Sequence, residues 1–317
     1  MAIADVPTSL GSSFFIKTFL PGFVASILGS YAVMPIIASS FWASLTVASK
    51  LILWTISAMV IGMVITSLDL YIYQFFEGIR FRRGKIYWWK YERILRYFEK
   101  IDNDLKNIEA RIGEINNKKE QTEENEKELL ELNYKASKLW TEVRVFPYDP
   151  NEKFFSKRHP EEPTRLGNVI AEYETYSEKQ YGMHMMVFWQ HLWFILPKEL
   201  KKDLDLQGAK VDFLVYLSFI FLIYIFIGGF GFFVQQKPLI AITSILVSLF
   251  LCFFFYRISI QAHKSYGRYI KAIFDIYRVD LAKKLKAGIV ITNLIPNDAE
   301  RKSWRKYRKY LLDYKKT

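Results

Sequence analysis

The chain has one cysteine, Cys252, and four histidines in 317 residues. A single thiol makes no intramolecular bridge, and this Cys and His content argues against a structural zinc site. The motifs of common catalytic centres are missing too. There is no Walker-type Gly-rich loop, no Gly-x-Ser-x-Gly, no His-Glu-x-x-His and no Cys-x-x-Cys. The carboxylates of the central region have solvent-face spacing and suggest no acid/base pair. The expectation is a protein that is not an enzyme and carries no cofactor. What is abundant is apolar: 51% of residues are AVILMFWYC, with 26 Phe, 20 Tyr and 8 Trp. Charged residues still reach 24%, and 44 basic against 32 acidic residues give +12. Apolar excess beside ordinary charge content means segregation into blocks. That argues against a disordered, collagen-like or disulfide-stapled chain.

The gaps between charges locate the apolar blocks. No charge lies between Lys17 and Lys50, between Lys50 and Asp69, between Asp212 and Lys237, or between Lys237 and Arg257. A membrane-spanning helix needs about 20 mainly apolar residues. The spacing predicts spans at Phe19–Ile37, Val47–Tyr73, Phe213–Val234 and Leu239–Tyr256, with a turn around Ser39–Ser44. The competing reading is buried core helices of a soluble protein, but four runs of this purity are rare outside bilayers. A cleaved signal peptide fits poorly, because no basic n-region precedes the first run.

Lys and Arg set the orientation. The connections inside each pair hold only Lys50 and Lys237. Basic clusters follow the second run (Arg80, Arg82, Arg83, Lys85, Lys90) and the fourth (Arg257, Lys264, Arg268, Lys271). The expectation is an all-α membrane protein with four transmembrane helices in two hairpins, a helical cytoplasmic domain, a basic helical tail and both termini cytoplasmic. Its parts are a first hairpin over 1–78, a cytoplasmic domain over 79–210, a second hairpin over 211–258 and a tail over 259–317.

Small residues mark where helices approach closely. Gly22, Ser26 and Ser30 recur every four residues, with Ala25 and Gly29 alongside, and Gly62 lies in the second run. Packing within one bundle and a subunit interface or pore both fit this stripe. Gly228, Gly229 and Gly231 either loosen the third span or end it. Asp69 is either a functional intramembrane carboxylate or a solvated group at the span's end. No chain of ionisable residues crosses the bilayer, which speaks against a proton-relay pump or a coupled transporter.

Residues 79–210 hold 25 basic and 23 acidic groups, and residues 257–317 hold 16 and 5, so the basic excess belongs to the tail. Ile94, Phe98, Ile101, Leu105, Ile108, Ile112 and Ile115 form a heptad seam. Leu129, Leu132, Ala136 and Leu139 resume it after a polar run. This predicts an antiparallel helical hairpin with its tip near Gln121–Asn125. Thr164 or Asn168 suits a cap for a helix through Val169–Tyr176, and Tyr181-Gly182 should break it. A further helix is expected over Met185–Leu196. For an anionic ligand the candidates are Lys157, Arg158, Arg165 and Asn168; the structural alternative is that Arg165 ties down its own loop.

The string Pro163-Thr164-Arg165-Leu166-Gly167-Asn168, a Tyr-Gly about fifteen residues on, Phe188-Trp189, and Leu196-Pro197 before a transmembrane pair resemble a group of bacterial four-span membrane proteins. The opening Phe19-Leu20-Pro21-Gly22-Phe23 resembles the start of that group. The match covers about half the chain and brings little chemistry with it. The layout is also similar to the membrane effectors of the Hailong antiphage system. That resemblance implies a tetrameric channel of the bacterial inner membrane with a cytoplasmic crown. It also implies a ligand, a short DNA oligomer, made by a partner nucleotidyltransferase.

In the tail, Tyr266, Ile270, Ile273, Phe274, Tyr277, Leu281 and Leu285 share a helical stripe, so the fourth span should continue inward as an amphipathic stalk. After a loop over Gly288–Pro296, Asn297 and Glu300 are spaced as a cap pair. The last helix interleaves Trp304, Tyr307 and Tyr310 with Arg301, Lys302, Arg305, Lys306, Arg308 and Lys309. Three readings stand: single-stranded nucleic acid, held by phosphate attraction and base stacking; anionic lipid or assembly contact; or a solvated face. Trp304 and Arg305 are the second candidate patch. A non-conducting scaffold that recruits a soluble partner is the alternative to a channel.

Overall fold

The computed structural model describes residues 8–33, 44–78, 84–117, 122–148, 154–285, 289, 291 and 298–314. Among these residues the chain is helical, without a strand. One isolated antiparallel bridge joins Tyr148 and Arg158. Four helices are long and apolar enough to cross a membrane. The chain divides into two compact units. The first holds residues 1–74 and 197–266, and the second holds 75–196 and 267–317.

The first unit begins with α1 (Thr8–Phe14), a π-helical segment (Phe15–Phe19) and α2 (Leu20–Ala32). Thr46 caps α3 (Val47–Ser67), its Oγ1 accepting from the Ser49 N–H at 3.2 Å. The expected single helix over Val47–Tyr73 is interrupted. Leu68 leaves helical geometry at φ −88°, ψ 4°, and α4 (Asp69–Glu77) starts afresh. An acid at the first position of α4 suits the positive end of a helix dipole. The expected first span over Phe19–Ile37 is helical from Thr8 to Ala32; residues 34–43, with most of the expected turn, lie outside the described residues.

The third and fourth apolar helices are longer than their apolar runs. α9 spans Lys198–Val234 and α10 spans Pro238–Lys284. The amphipathic stripe after Tyr256 therefore extends the span helix itself, as the stalk expectation requires. α2 and α3 run antiparallel, since Thr18 meets Thr66 and Ser26 meets Trp54. α9 and α10 are also antiparallel, with Ser218 bonded to the Cys252 carbonyl and Phe221 stacked on Phe255.

The second unit contains α5 (Lys85–Asn116), α6 (Glu123–Val143), α7 (Arg165–Tyr181), α8 (Met185–Ile195), the C-terminal end of α10 from Gly267, and α11 (Asp298–Tyr314). The heptad seam folds as expected: Phe98, Ile101, Leu105 and Ile115 are buried, and α6 lies antiparallel across them. Glu123–Asn125 belong to α6 rather than to the hairpin tip. Three acids in the first turn and the Thr122 cap favour a helix there. Phe98 packs edge-on against Phe146 and Phe154. Buried Asp102 accepts from the Phe155 and Ser156 N–H groups at 3.1 and 3.0 Å, closing the loop onto α5. α7 ends at Gly182, whose φ of +76° is the left-handed stop that Tyr181-Gly182 foretold. Arg80, Arg82, Arg83, Asn297 and most of the 288–296 loop lie outside the described residues.

Candidate functional site

Three clusters concentrate the chemistry. The first sits in the first unit, where each long apolar helix meets charge. Lys17, in the π-helical segment, places Nζ 2.6 Å from Asp212 Oδ2 and 3.6 Å from Asp69 Oδ2. Tyr216 donates to Asp69 Oδ1 at 2.7 Å, and Tyr73 donates to Asp212 Oδ1 at 2.7 Å. Tyr73 Oη is also 3.2 Å from Nε2 of His263, a ring 1% exposed. Nδ1 of His263 lies 2.9 Å from the Ser259 carbonyl oxygen, which only an Nδ1–H satisfies. In a neutral ring Nε2 is then an acceptor. The single Tyr73 hydrogen thus stands between two acceptors, and an added proton on His263 would satisfy both contacts. Two carboxylates against one lysine leave the cluster one negative charge in excess.

Asp69 stands within this cluster. It shares Lys17 with Asp212 and accepts from Tyr216, with its side chain 37% exposed.

The second cluster ties the C-terminal end of α10 to α7 and α11. Arg278 and Glu300 are each 2% exposed at the side chain and pair at 3.1 Å. The Arg278 guanidinium lies 4.5 Å above the Tyr181 ring. Asp275 Oδ1 accepts from Tyr176 at 2.9 Å and from Tyr181 at 2.6 Å. Burial, and then the bond to Asp275, push the Tyr176 hydroxyl up to about 12. The same causes raise Tyr181. Lys271 pairs with Glu172, which also lies 3.6 Å from Arg158. Glu300 is thus an ion-pair partner of Arg278; the other member of its expected cap pair, Asn297, lies outside the described residues.

The third cluster is the Pro163–Asn168 run. Thr164 Oγ1 accepts from the Gly167 N–H and donates to the Glu77 carbonyl, both at 3.0 Å, so Thr164 is the cap of α7. Gly167 is required for close packing: a Cβ there would stand 2.8 Å from both Glu162 Cβ and Glu77 O. Asn168 is fully buried. Its Oδ1 accepts from the Glu161 and Glu162 N–H groups at 2.8 and 3.2 Å. Its amide donates to the Glu162 and Thr164 carbonyls at 2.5 and 2.7 Å. Arg165 lies over the Tyr97 ring and 3.5 Å from Glu142 Oε2. Arg158 donates to the Phe146 carbonyl; burial lowers its pKa, with Glu172 opposing. Lys157 is exposed, at a left-handed φ of +49°. Of this candidate set the structure brings Arg158, Arg165 and Asn168 into internal contacts and leaves Lys157 facing outward.

On α11 the two proposed contacts part company. Trp304 is fully buried and packs edge-on against Phe188, so it offers no face to a base. Arg305 is exposed, and Lys302, Arg305, Lys306 and Lys309 follow i, i+3, i+4, i+7 spacing on the outward face. The inward face is tied down by Arg301 to the Gln180 carbonyl and by Arg308 to Glu178.

The small-residue stripe also divides. A Cβ on Gly22 would overlap the Ala58 carbonyl oxygen, and one on Gly62 the Thr18 carbonyl oxygen. Gly22 therefore permits backbone contact between α2 and α3, and Gly62 between α3 and the π-helical segment. Ser26 Oγ reaches the Trp54 carbonyl at 3.5 Å, and Ser30 Oγ bonds back to Ile27 O at 2.7 Å. Gly29 has nothing within 4 Å of a built Cβ. Gly231 abuts the Ala32 carbonyl, so it brings α9 against α2 rather than ending α9.

Sequence reasoning missed Lys17, Asp212, Tyr73, Tyr216, His263, Asp275 and Arg278 as cluster members. A signal existed for two of them: Lys17 and Asp212, like Asp69, each border an apolar run. Among the described residues no group of three or more His, Cys, Asp or Glu is placed to hold a metal ion. No known protein family, curated protein or solved structure matches the chain.

Proposed function

We propose that the chain is an oligomeric channel-type effector of the bacterial inner membrane, acting in antiphage defence. In this reading the four apolar helices form two hairpins with both termini cytoplasmic. The helical cytoplasmic body sets the state of a pore according to its ligand, a short single-stranded oligonucleotide supplied by a nucleotidyltransferase. A tetramer is the assembly that the Hailong resemblance implies.

The observation that carries the reading is the continuity of α10. This one helix, Pro238–Lys284, holds an apolar span at one end. At the other it holds Lys271, Asp275 and Arg278, each bonded to α7 or α11. A ligand on the body that favours one arrangement of those contacts would bias the span helix through an unbroken backbone. Such a ligand acts only through different affinity for the two states. Span walls of small and aromatic residues suit gating by a hydrophobic constriction.

The test is planar-bilayer recording of the purified oligomer with and without a short single-stranded oligonucleotide. Conductance that changes with the oligonucleotide supports the reading. A well-folded oligomer silent under every condition overturns it.

A non-conducting scaffold is the second reading. Leu130 and Tyr134, four residues apart on α6, are 72% and 74% exposed and form an apolar pair for a soluble partner. A scaffold would co-purify with a stoichiometric partner protein and pass no ions.

A further inference from the structure

We propose that the first turns of α5 are a lipid-contact helix, lying in the headgroup region of the membrane that holds the spans. Ile86, Trp88 and Trp89 are 57%, 58% and 56% exposed, although each is a large apolar side chain. Tyr87, between them, is buried and stacks on Tyr91, so the same turns have a proper inward face. The exposed arc also carries Lys85, Arg93 and Arg96 against Glu92 alone. Arg93 sits 5.9 Å over the Trp89 ring, joining cation and indole into one surface.

Tryptophan beside Lys and Arg is the chemistry of a membrane–water interface. The indole has an apolar body and a polar N–H, and the cations meet anionic headgroups. A soluble partner is the other occupant, and two observations favour lipid. The arc has a net positive charge, complementary to an anionic leaflet. The chain also reaches it at once from the membrane segments: seven residue steps separate Gly78 from Lys85, at most about 25 Å. Just before them α4 exposes Leu70 and Tyr71, continuing the apolar surface of α3. The proposal rests on the four apolar helices spanning lipid and is independent of conduction.

The experiment uses the full chain in lipid nanodiscs containing anionic lipid, in a Cys252→Ala background. Single cysteines replace Trp89, or Trp88 as a second variant, and carry an environment-sensitive fluorophore. Comparison labels sit at Leu246, on the exposed face of α10, and at Glu124, at the start of α6. Nitroxide-bearing lipids are the quencher. The expected result is a blue-shifted label at Trp88 or Trp89, quenched ~2-fold or more above the Glu124 label. Quenching at both no greater than at Glu124, with Leu246 quenched, overturns this proposal and leaves the membrane reading standing. An unquenched Leu246 label overturns both.

Discussion

Lys17 Nζ stands 2.6 Å from Asp212 Oδ2, joining two residues that border different apolar runs. The pair is the centre of a network that also fixes Asp69, Tyr73, Tyr216 and His263. Because two carboxylates share the lysine, removing Lys17 leaves both without their cation, whereas removing Asp212 leaves Lys17 paired with Asp69.

Lys17→Met should lower thermal stability in detergent by roughly 1–3 kcal/mol, and Asp212→Asn by less, since Asp69 still pairs with Lys17. The double variant should lose less than the sum, because each single variant already removes the Lys17–Asp212 interaction. A double-mutant cycle on thermal or denaturant unfolding measures this. Strict additivity would show that the two side chains do not interact.

The glycines make a sharper test of packing. Gly22→Val forces a branched side chain onto the Ala58 carbonyl and should cost at least ~1–3 kcal/mol or block folding. Gly29→Ala has open space and should be tolerated. Size-exclusion profiles of the two purified variants distinguish them. Equal behaviour would contradict the contact between α2 and α3.

Asn168 makes four hydrogen bonds from a fully buried amide. Asn168→Ala strands those backbone groups at about 1–3 kcal/mol for each that stays unpaired. The variant should lower the midpoint of unfolding and leave oligonucleotide affinity per folded molecule unchanged. Reduced affinity at unchanged stability would restore Asn168 as a ligand contact. Arg305→Ala should do the reverse: unchanged stability, weaker binding of a polyanion and a shallower salt dependence.

Tyr176 supplies a pH test. Its folded pKa, about 12, exceeds the ordinary value of 10.0. The folded state therefore holds the proton more tightly than the unfolded state. The stabilisation is fully present below pH 10 and is lost as pH rises towards about 12. Tyr176→Phe should flatten alkaline unfolding in that window, followed by circular dichroism. Unchanged alkaline unfolding would break the link between Tyr176 and Asp275.

Much of the helix plan was legible because it is written in local pattern. The absence of charge over about 20 residues, the heptad seam from Ile94 to Ile115, Thr164 as a cap and Gly182 as a stop are all short-range signals. The break at Leu68 was not legible, since an apolar run reads the same with or without a kink. The ligand candidates show the limit most clearly. Arg158, Arg165 and Asn168 are polar residues in a loop-rich stretch, and composition alone gives them the look of a binding site. Their partners are Phe146, Glu142 and the loop's own backbone.

The amino-acid order by itself determined that this chain is helical and apolar enough in four places to enter lipid, because hydropathy and helical period depend on neighbours in sequence. Only the tertiary structure decided who pairs with whom: Lys17 with Asp212, Arg278 with Glu300, Trp304 with Phe188. Electrostatic and packing partners are chosen by distance in space. Residues 195 positions apart, such as Lys17 and Asp212, become neighbours only when their helices pack.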